Sequence, residues 1–309
     1  MNLAIEVQIS KYQGGTLYIY MGGPEHIYAM QHVRRMRGGS QSHLLRASDS
    51  HFYICKFQNN PQDIRILVNE YLATHLAALL GLPVPEVAII DVPEWLIQNS
   101  PELKIDIGGG LLRPCASGPQ FASRYVADPH STAIFDYLPG SILKQIANIN
   151  DFPQVLAFDK WTGNADGRQA VFAKEPNQRR YKAWFIDQGY CFNAGEWDFP
   201  DSPLRGVFGR IAVYEHVTSW TAFEPTLSRI EAITEDAISS IASEIPPEWF
   251  RHDFSALSRL MATLHQRRLA VRNLITGFRK STRNPFPNWT DSELVRPIQP
   301  TTKPHGGNK

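Results

Sequence analysis

Cysteine is scarce in this sequence, with three residues in 309, Cys55, Cys115 and Cys191. They are too few and too scattered for a disulfide framework or a paired metal-ligand spacing, which favours a reducing compartment, the cytoplasm by default. Charge excess is also missing: 31 Lys and Arg stand against 30 Asp and Glu. The chain therefore has no electrostatic footprint for nucleic acid or an anionic membrane. No window approaches eighteen uninterrupted apolar residues, and "MNLAIEVQISKYQGG" carries Glu6 and Lys11 where an export signal needs an apolar run. The expectation is a chain that neither spans a membrane nor is exported. Its ten histidines form no H-E-x-x-H cluster, which argues against zinc. No G-x-S-x-G elbow or G-x-G-x-x-G fingerprint occurs either, so a hydrolase or dinucleotide fold has no motif to support it.

What is present is an ordinary globular composition, 43% hydrophobic and 20% charged, with enough chain for a full core and two lobes. "VRRMRGGSQSHLLRASDSHFYICKF" reads as strand, Gly-containing turn, strand: a hairpin with Lys56 in its second strand. Residues 63 to 80 follow as a helix, with Asp63 at its start, Val68, Leu72, Leu76 and Leu79 at helical spacing, and Gly81 as its stop. Glu70 shares an apolar stripe with Ile66, Ala73 and Ala77, where a carboxylate needs a partner. "VPEVAIIDV" and "TAIFDYL" are the best later strands, and "DIGGGLLRPCASGPQFASRY" reads as loop. After "LPGS" the pattern turns helical: "SILKQIANI", "DFPQVLAFDKWTGN", then long periodic runs over 226–244 and 255–280. Arg259, Arg267, Arg268, Arg272 and Arg279 are read as the solvated face of the last run. The Pro- and Gly-rich end from residue 282 has no period and is expected to be disordered. Strands first and helices after predict an α+β fold of two lobes with a cleft between them.

Four elements recur in an order that suits phosphoryl transfer, where a protein mainly positions phosphates and neutralises developing charge. A glycine turn (Gly38, Gly39, Ser40) lets backbone N–H groups approach phosphate oxygens, Lys56 supplies a point charge, and Glu70 can hold that lysine. A bare Gly-Gly turn needs no phosphate to explain it, and a strand lysine can simply snorkel to water. The other two elements are acidic. "WFIDQG" reads as a short buried strand that delivers Asp187 at its end, with Gly189 letting the chain turn away. "GNADGRQ" reads as a polar loop where a carboxylate and an amide converge on a metal and a hydroxyl.

Taken together, "RGGSQSHLL", "YICKFQNNPQ", "NEYLATHLAALLGLPVPE", "FDKWTGNADGRQ" and "FIDQGYCFN" resemble the HipA-like kinase domain, a bacterial branch of the protein-kinase-like fold with relatives among phosphatidylinositol 3/4-kinase-like proteins. The resemblance implies a strand-rich N-lobe over 31–138, a helical C-lobe over 139–281, and ATP with Mg²⁺ in the interlobe cleft. Residues 1–30 would be an N-terminal strand extension and 282–309 the tail. By this resemblance Lys56 contacts ATP phosphates, Glu70 orients it, Gly38, Gly39 and Ser40 cover the nucleotide, Asp166 is the catalytic base and Asp187 the Mg²⁺ ligand. The acceptor would be a hydroxyl, a Ser or Thr if the substrate is a protein, and a small DNA-binding antitoxin is a partner known for some relatives. The pattern breaks where the family carries a second metal-binding asparagine, because Val171 stands there. Gln169 or Asn164 could substitute, or Asp159 could be the true base, since "DKWTGN" is itself D-x-x-x-x-N; Asp166 is preferred. Arg168 replaces a family histidine and is expected to hold Asp166 or a phosphate. The alternative to an enzyme is a pseudokinase, a nucleotide-binding interaction module without phosphotransfer.

Overall fold

Side chains point alternately to the two faces of three consecutive strands, β1 (Ala29–Arg35), β2 (His43–Ala47) and β3 (Phe52–Lys56), and that alternation sets what each face meets. The computed structural model describes residues 27–174 and 177–290. Tyr53 and Cys55 face an outer core with Leu45 and Ala47, while Ile54 and Lys56 face the other way, into a cleft. The expected hairpin is thus a three-stranded meander, because Ser48–Ser50 make a second turn that separates β2 from β3. Lys56 ends the third strand and not the second.

Helix α1 (Arg65–Leu79) follows, and the Asp63 carboxylate accepts the Arg65 amide at 2.8 Å. The helix is buried almost all round, and Ile66, Glu70, Ala73 and Ala77 share its innermost side. Leu79, assigned to the apolar spacing, is instead 56% exposed at the last turn. Then come β4 (Val87–Val92), α2 (Glu94–Asn99), β5 (Lys104–Asp106), β6 (Leu112–Pro114) and β7 (Gly118–Arg124). The five-stranded antiparallel sheet runs β1-β2-β3-β7-β4. β7, inside the stretch read as loop, pairs on both edges; its small residues (Gly118, Ala122, Ser123) hid the strand pattern.

The second half begins with β8 (Ile134–Phe135), two residues where a longer strand was expected, and continues with α3 (Gly140–Leu143) and α4 (Asp151–Thr162). Gly163 ends α4 in the left-handed region at φ 62°, which a side chain would resist. β9 (Gln169–Ala173) and β10 (Lys182–Ile186) form a hairpin in the sheet β10-β9-β8. The two long helical runs each break in two: α5 (Thr226–Ala232) and α6 (Glu235–Ala242), then α7 (Phe254–Arg267) and α8 (Val271–Arg279). Thr234 and Asp253 cap α6 and α7. Arg267 is not on a solvated face: it pairs with Asp201 and donates to the carbonyls of Lys160 and Trp161 near the end of α4.

Phe286 is buried and Trp289 stacks near it, so the stretch 282–290 packs on the helical lobe where disorder was expected. Residues 291–309, and residues 1–26 of the strand extension expected over 1–30, lie outside the described residues. No helix among the described residues is long and apolar enough to cross a membrane. The result is an antiparallel-sheet lobe followed by a helical lobe, as the sequence order predicted.

Candidate active site

Lys56 is buried, and its ammonium donates to Glu70 Oε1 and, at 2.8 Å, to Asp187 Oδ1. A charge out of water needs such partners, and here three elements supply one group each: β3, α1 and the end of β10. Burial disfavours the ammonium, but Asp187 and Glu70 outweigh it and hold its pKa above the ordinary lysine value. Lys56 in turn holds the Asp187 carboxyl down at about 2 against its burial. Glu70 is different: burial pushes its carboxyl up, with Lys56 pulling the other way. Its oxygens also accept the amides of Gln188 at 3.0 Å and Gly189 at 2.9 Å. The neighbouring Asn69 amide binds the carbonyls of Gly189, Cys191 and Ala194, so two adjacent α1 residues pin the turn after Asp187.

That turn is made differently from expectation. Asp187 itself takes the positive φ, 62°. Gly189 is needed for room, since a Cβ there would lie 2.8 Å from Ile66 Cγ2 and 3.1 Å from Glu70 Oε1.

The loop between α4 and β9 separates the acidic candidates. Asp159 is 1% exposed and forms a two-pronged ion pair with Arg168, Nε to Oδ2 at 2.9 Å and Nη2 to Oδ1. Asp159 is therefore closed to a substrate hydroxyl, while Asp166 lines the cleft. Arg168 faces neither Asp166 nor a phosphate position, because its guanidinium is spent on Asp159 and on the Ile186 carbonyl at 2.8 Å. Asn164 is withdrawn as well: it is 1% exposed, its Nδ2 donates to Asp159 at 3.0 Å, and its Oδ1 accepts the Asp166 amide at 3.1 Å. As a metal ligand its Oδ1 would have to share with, or give up, the Asp166 amide.

The cleft between the lobes has a volume of about 780 Å³. Gly38, Gly39 and Ser40 border it, with Lys56, Glu70, Asp166, Gln169 and Asp187 lining it together. A sequence profile described as HipA-like kinase matches residues 30–274. The chain belongs to the HipA-like kinase family. No curated protein matches. Among solved structures, the Helicobacter pylori proinflammatory kinase CtkA shares 15% identity over 80% of this chain and 95% of its own, with a TM-score of 0.45. A Golgi casein kinase with Mn/ADP bound shares 11% over 84% of this chain and 74% of its own, at 0.46. HipA of Shewanella oneidensis MR-1, solved with HipB and operator DNA, shares 13% over 80% of this chain and 68% of its own, at 0.41. These are distant likenesses, and membership rests on the sequence match.

For a kinase-family chain the donor set around the cleft is informative. Among the described residues no group of three or more His, Cys, Asp or Glu is placed to hold a metal ion. Asp187, Asp166 and the Gln169 amide are hard oxygen donors in one cleft, and Val171 beside them has none. This set fits a Mg²⁺-like cation that takes one or two carboxylates and completes its shell with phosphate oxygens, and does not fit a self-sufficient metal centre.

Sequence reasoning missed the far end of the cleft. Ile54, Phe121, Val171 and Phe185 also line it, as do Arg124, Tyr125, Val126 and Asp136. Phe121, Arg124 and Tyr125 were hidden because β7 sits in a stretch read as loop. The buried Asp159–Arg168 pair had no sequence signal beyond two opposite charges nine positions apart.

Proposed function

We propose that this chain is an ATP-dependent phosphotransferase acting on a hydroxyl acceptor, a Ser or Thr of a protein. The observation that carries the reading is the buried ammonium of Lys56 held between Glu70 and Asp187 on the cleft wall. A cation so placed can accept phosphate oxygens without moving, since its partners already set its direction. The apolar lining of Ile54, Phe121, Val171 and Phe185 would suit the faces of a purine, and Asp136 on the same cleft would accept from ribose hydroxyls. Gly38, Gly39 and Ser40 would close over the phosphates from above.

In the transfer, the acceptor oxygen bonds to the γ-phosphorus while the bond from that phosphorus to the bridging oxygen breaks, and ADP leaves. Asp166 orients the acceptor hydroxyl and takes its proton. Lys56 faces the growing charge on the phosphate oxygens, and Glu70 keeps it there. Asp187, with Gln169 beside it, would hold a Mg²⁺ ion, which would supply positive charge to offset that of the phosphates.

Thermal-shift titration with ATP, with and without Mg²⁺, followed by transfer of ³²P from ATP to a degenerate Ser/Thr peptide pool, tests this. Wild-type protein should be stabilised and should turn over. Asp166→Ala should still bind ATP, yet lose transfer by about 10²-fold or more, and Asp187→Ala should lose transfer together with the Mg²⁺ effect. Val171 favours one second reading, a nucleotide-binding module without transfer. Stabilisation by ATP with no ³²P transfer to any acceptor would establish that reading and sink the first.

A further inference from the structure

A chain of hydrogen bonds runs beneath the cleft, joining the backbone just before Asp187 to the backbone of Asp166. Arg168 Nη1 donates to the Ile186 carbonyl at 2.8 Å, and the same guanidinium forks onto Asp159. Asp159 Oδ1 accepts from Asn164 at 3.0 Å, and Asn164 Oδ1 accepts the Asp166 amide at 3.1 Å. All three side chains in this chain belong to residues no more than 4% exposed. We propose that Asp159, Arg168 and Asn164 are positioning residues: they fix the spacing and orientation of the Asp166 and Asp187 carboxylates and touch no substrate. What that spacing serves rests on the phosphotransferase reading above.

Three features of the geometry support this over a plain stabilising ion pair. Apolar residues of similar volume often stabilise a buried site as well as a salt bridge does, so stability alone does not require charges here. Direction does require them. Guanidinium donors lie in a rigid plane, and here they reach a carboxylate on one side and a strand-end carbonyl on another. Asp159 itself is carried by α4, beside Phe158 and Trp161 in the core of the helical lobe, so both cleft carboxylates are referred to one rigid helix. The bracket is also closed from outside. Gly206 lies at φ 69°, its amide donates to the Asp166 carbonyl at 3.1 Å, and an added Cβ would fall 2.5 Å from Asp159 Cβ. Such closeness leaves no space for a ligand at Asp159.

The test removes both charges at once, Asp159→Leu with Arg168→Met, so that neither is left buried and unpaired. With [γ-³²P]ATP, Mg²⁺ and the degenerate Ser/Thr peptide pool, kcat should fall about 100-fold while KM for ATP changes by less than about threefold, as expected when only the geometry of the reacting groups is lost. Amide hydrogen exchange over residues 163–168 should rise by about tenfold or more, with α4 and β10 unchanged. Arg168→Lys keeps the charge and loses the fork, and should cost about tenfold in kcat. Asp159→Asn should keep the acid limb of its pH–kcat profile, because the base is Asp166. Wild-type turnover with intact 163–168 protection in the double variant overturns the proposal, and so does loss of the acid limb in Asp159→Asn. A wild-type chain that transfers no phosphoryl group overturns the phosphotransferase reading instead, and the exchange measurement then decides the bracket alone.

Discussion

Lys56 holds apart two carboxylates that would otherwise face each other in a poorly solvated pocket. Replacing it with Met removes the charge that pulls the Glu70 carboxyl down and leaves burial and the Asp187 charge, which push it up, opposed by the Gln188 amide. A carboxyl with a raised folded-state pKa keeps its proton where the unfolded chain has released it, so stability falls as pH rises above the ordinary carboxylate range. Lys56→Met is therefore expected to lose about 3–5 kcal/mol at pH 8 and clearly less at pH 5, measured by urea unfolding at both values. An equal loss at both pH values would show that Glu70 does not carry the effect. Sequence reasoning reached Lys56 as a lysine set in an apolar strand, and Glu70 as a carboxylate on an apolar stripe along a helix. It could not reach the state of Asp159, whose burial comes from Arg168 and Gly206 closing on it from later in the chain.

Helix α1 is the element that ties the site together. Glu70 and Asn69 reach across to the Asp187 turn, Tyr71 donates to Glu244 at 2.6 Å, and the Leu80 carbonyl at its end accepts from Arg229 at 2.6 Å. Its apolar residues are unequal despite similar spacing. Leu76 is fully buried and Leu79 is 56% exposed, although Leu80 next to it is buried again. Leu76→Ala should cost about 2–5 kcal/mol by urea unfolding, whereas Leu79→Ala should stay within about 0.5 kcal/mol. The presence of the helix was legible from period and stop signals; which leucines face the core was not, since a helix buried nearly all round offers no polar face to orient it. β7 shows the reverse case. Its glycine, alanine and serine look like loop, yet the neighbours on both edges, β3 and β4, supply its hydrogen bonds.

At the scale of the whole molecule, one hydrophobic core runs from α1 through α4 to α8, while a separate cluster lies on the far face of the five-stranded sheet. The cleft lies between the sheet of the first lobe and the β9–β10 hairpin of the second, so a nucleotide bound there would bridge both. At about 100 times its Kd such a ligand adds about 2.7 kcal/mol to stability. The donor set limits what comes with it, because Val171 offers no oxygen and Asn164 is committed elsewhere. The wild-type chain is expected to take one Mn²⁺ per bound non-hydrolysable ATP analogue, counted by electron paramagnetic resonance titration, and Val171→Asn a second. Two ions on the wild-type chain would contradict this.

The sequence by itself determined the order of parts: a glycine turn, a strand lysine, a helix glutamate, a loop carboxylate and a strand-end carboxylate. It also determined that strands come first and helices after, because period and turn chemistry are local properties of the chain. Only the tertiary structure decided which of Asp159 and Asp166 opens to the cleft, that Arg168 and Asn164 serve Asp159 beneath it, and that Asp187 bears the backbone strain expected of a glycine. The physical reason is that a side chain's burial and partners are set by residues distant in sequence. Two aspartates seven positions apart look alike until one is enclosed by an arginine, an asparagine and a glycine, and the other is left facing solvent in the cleft.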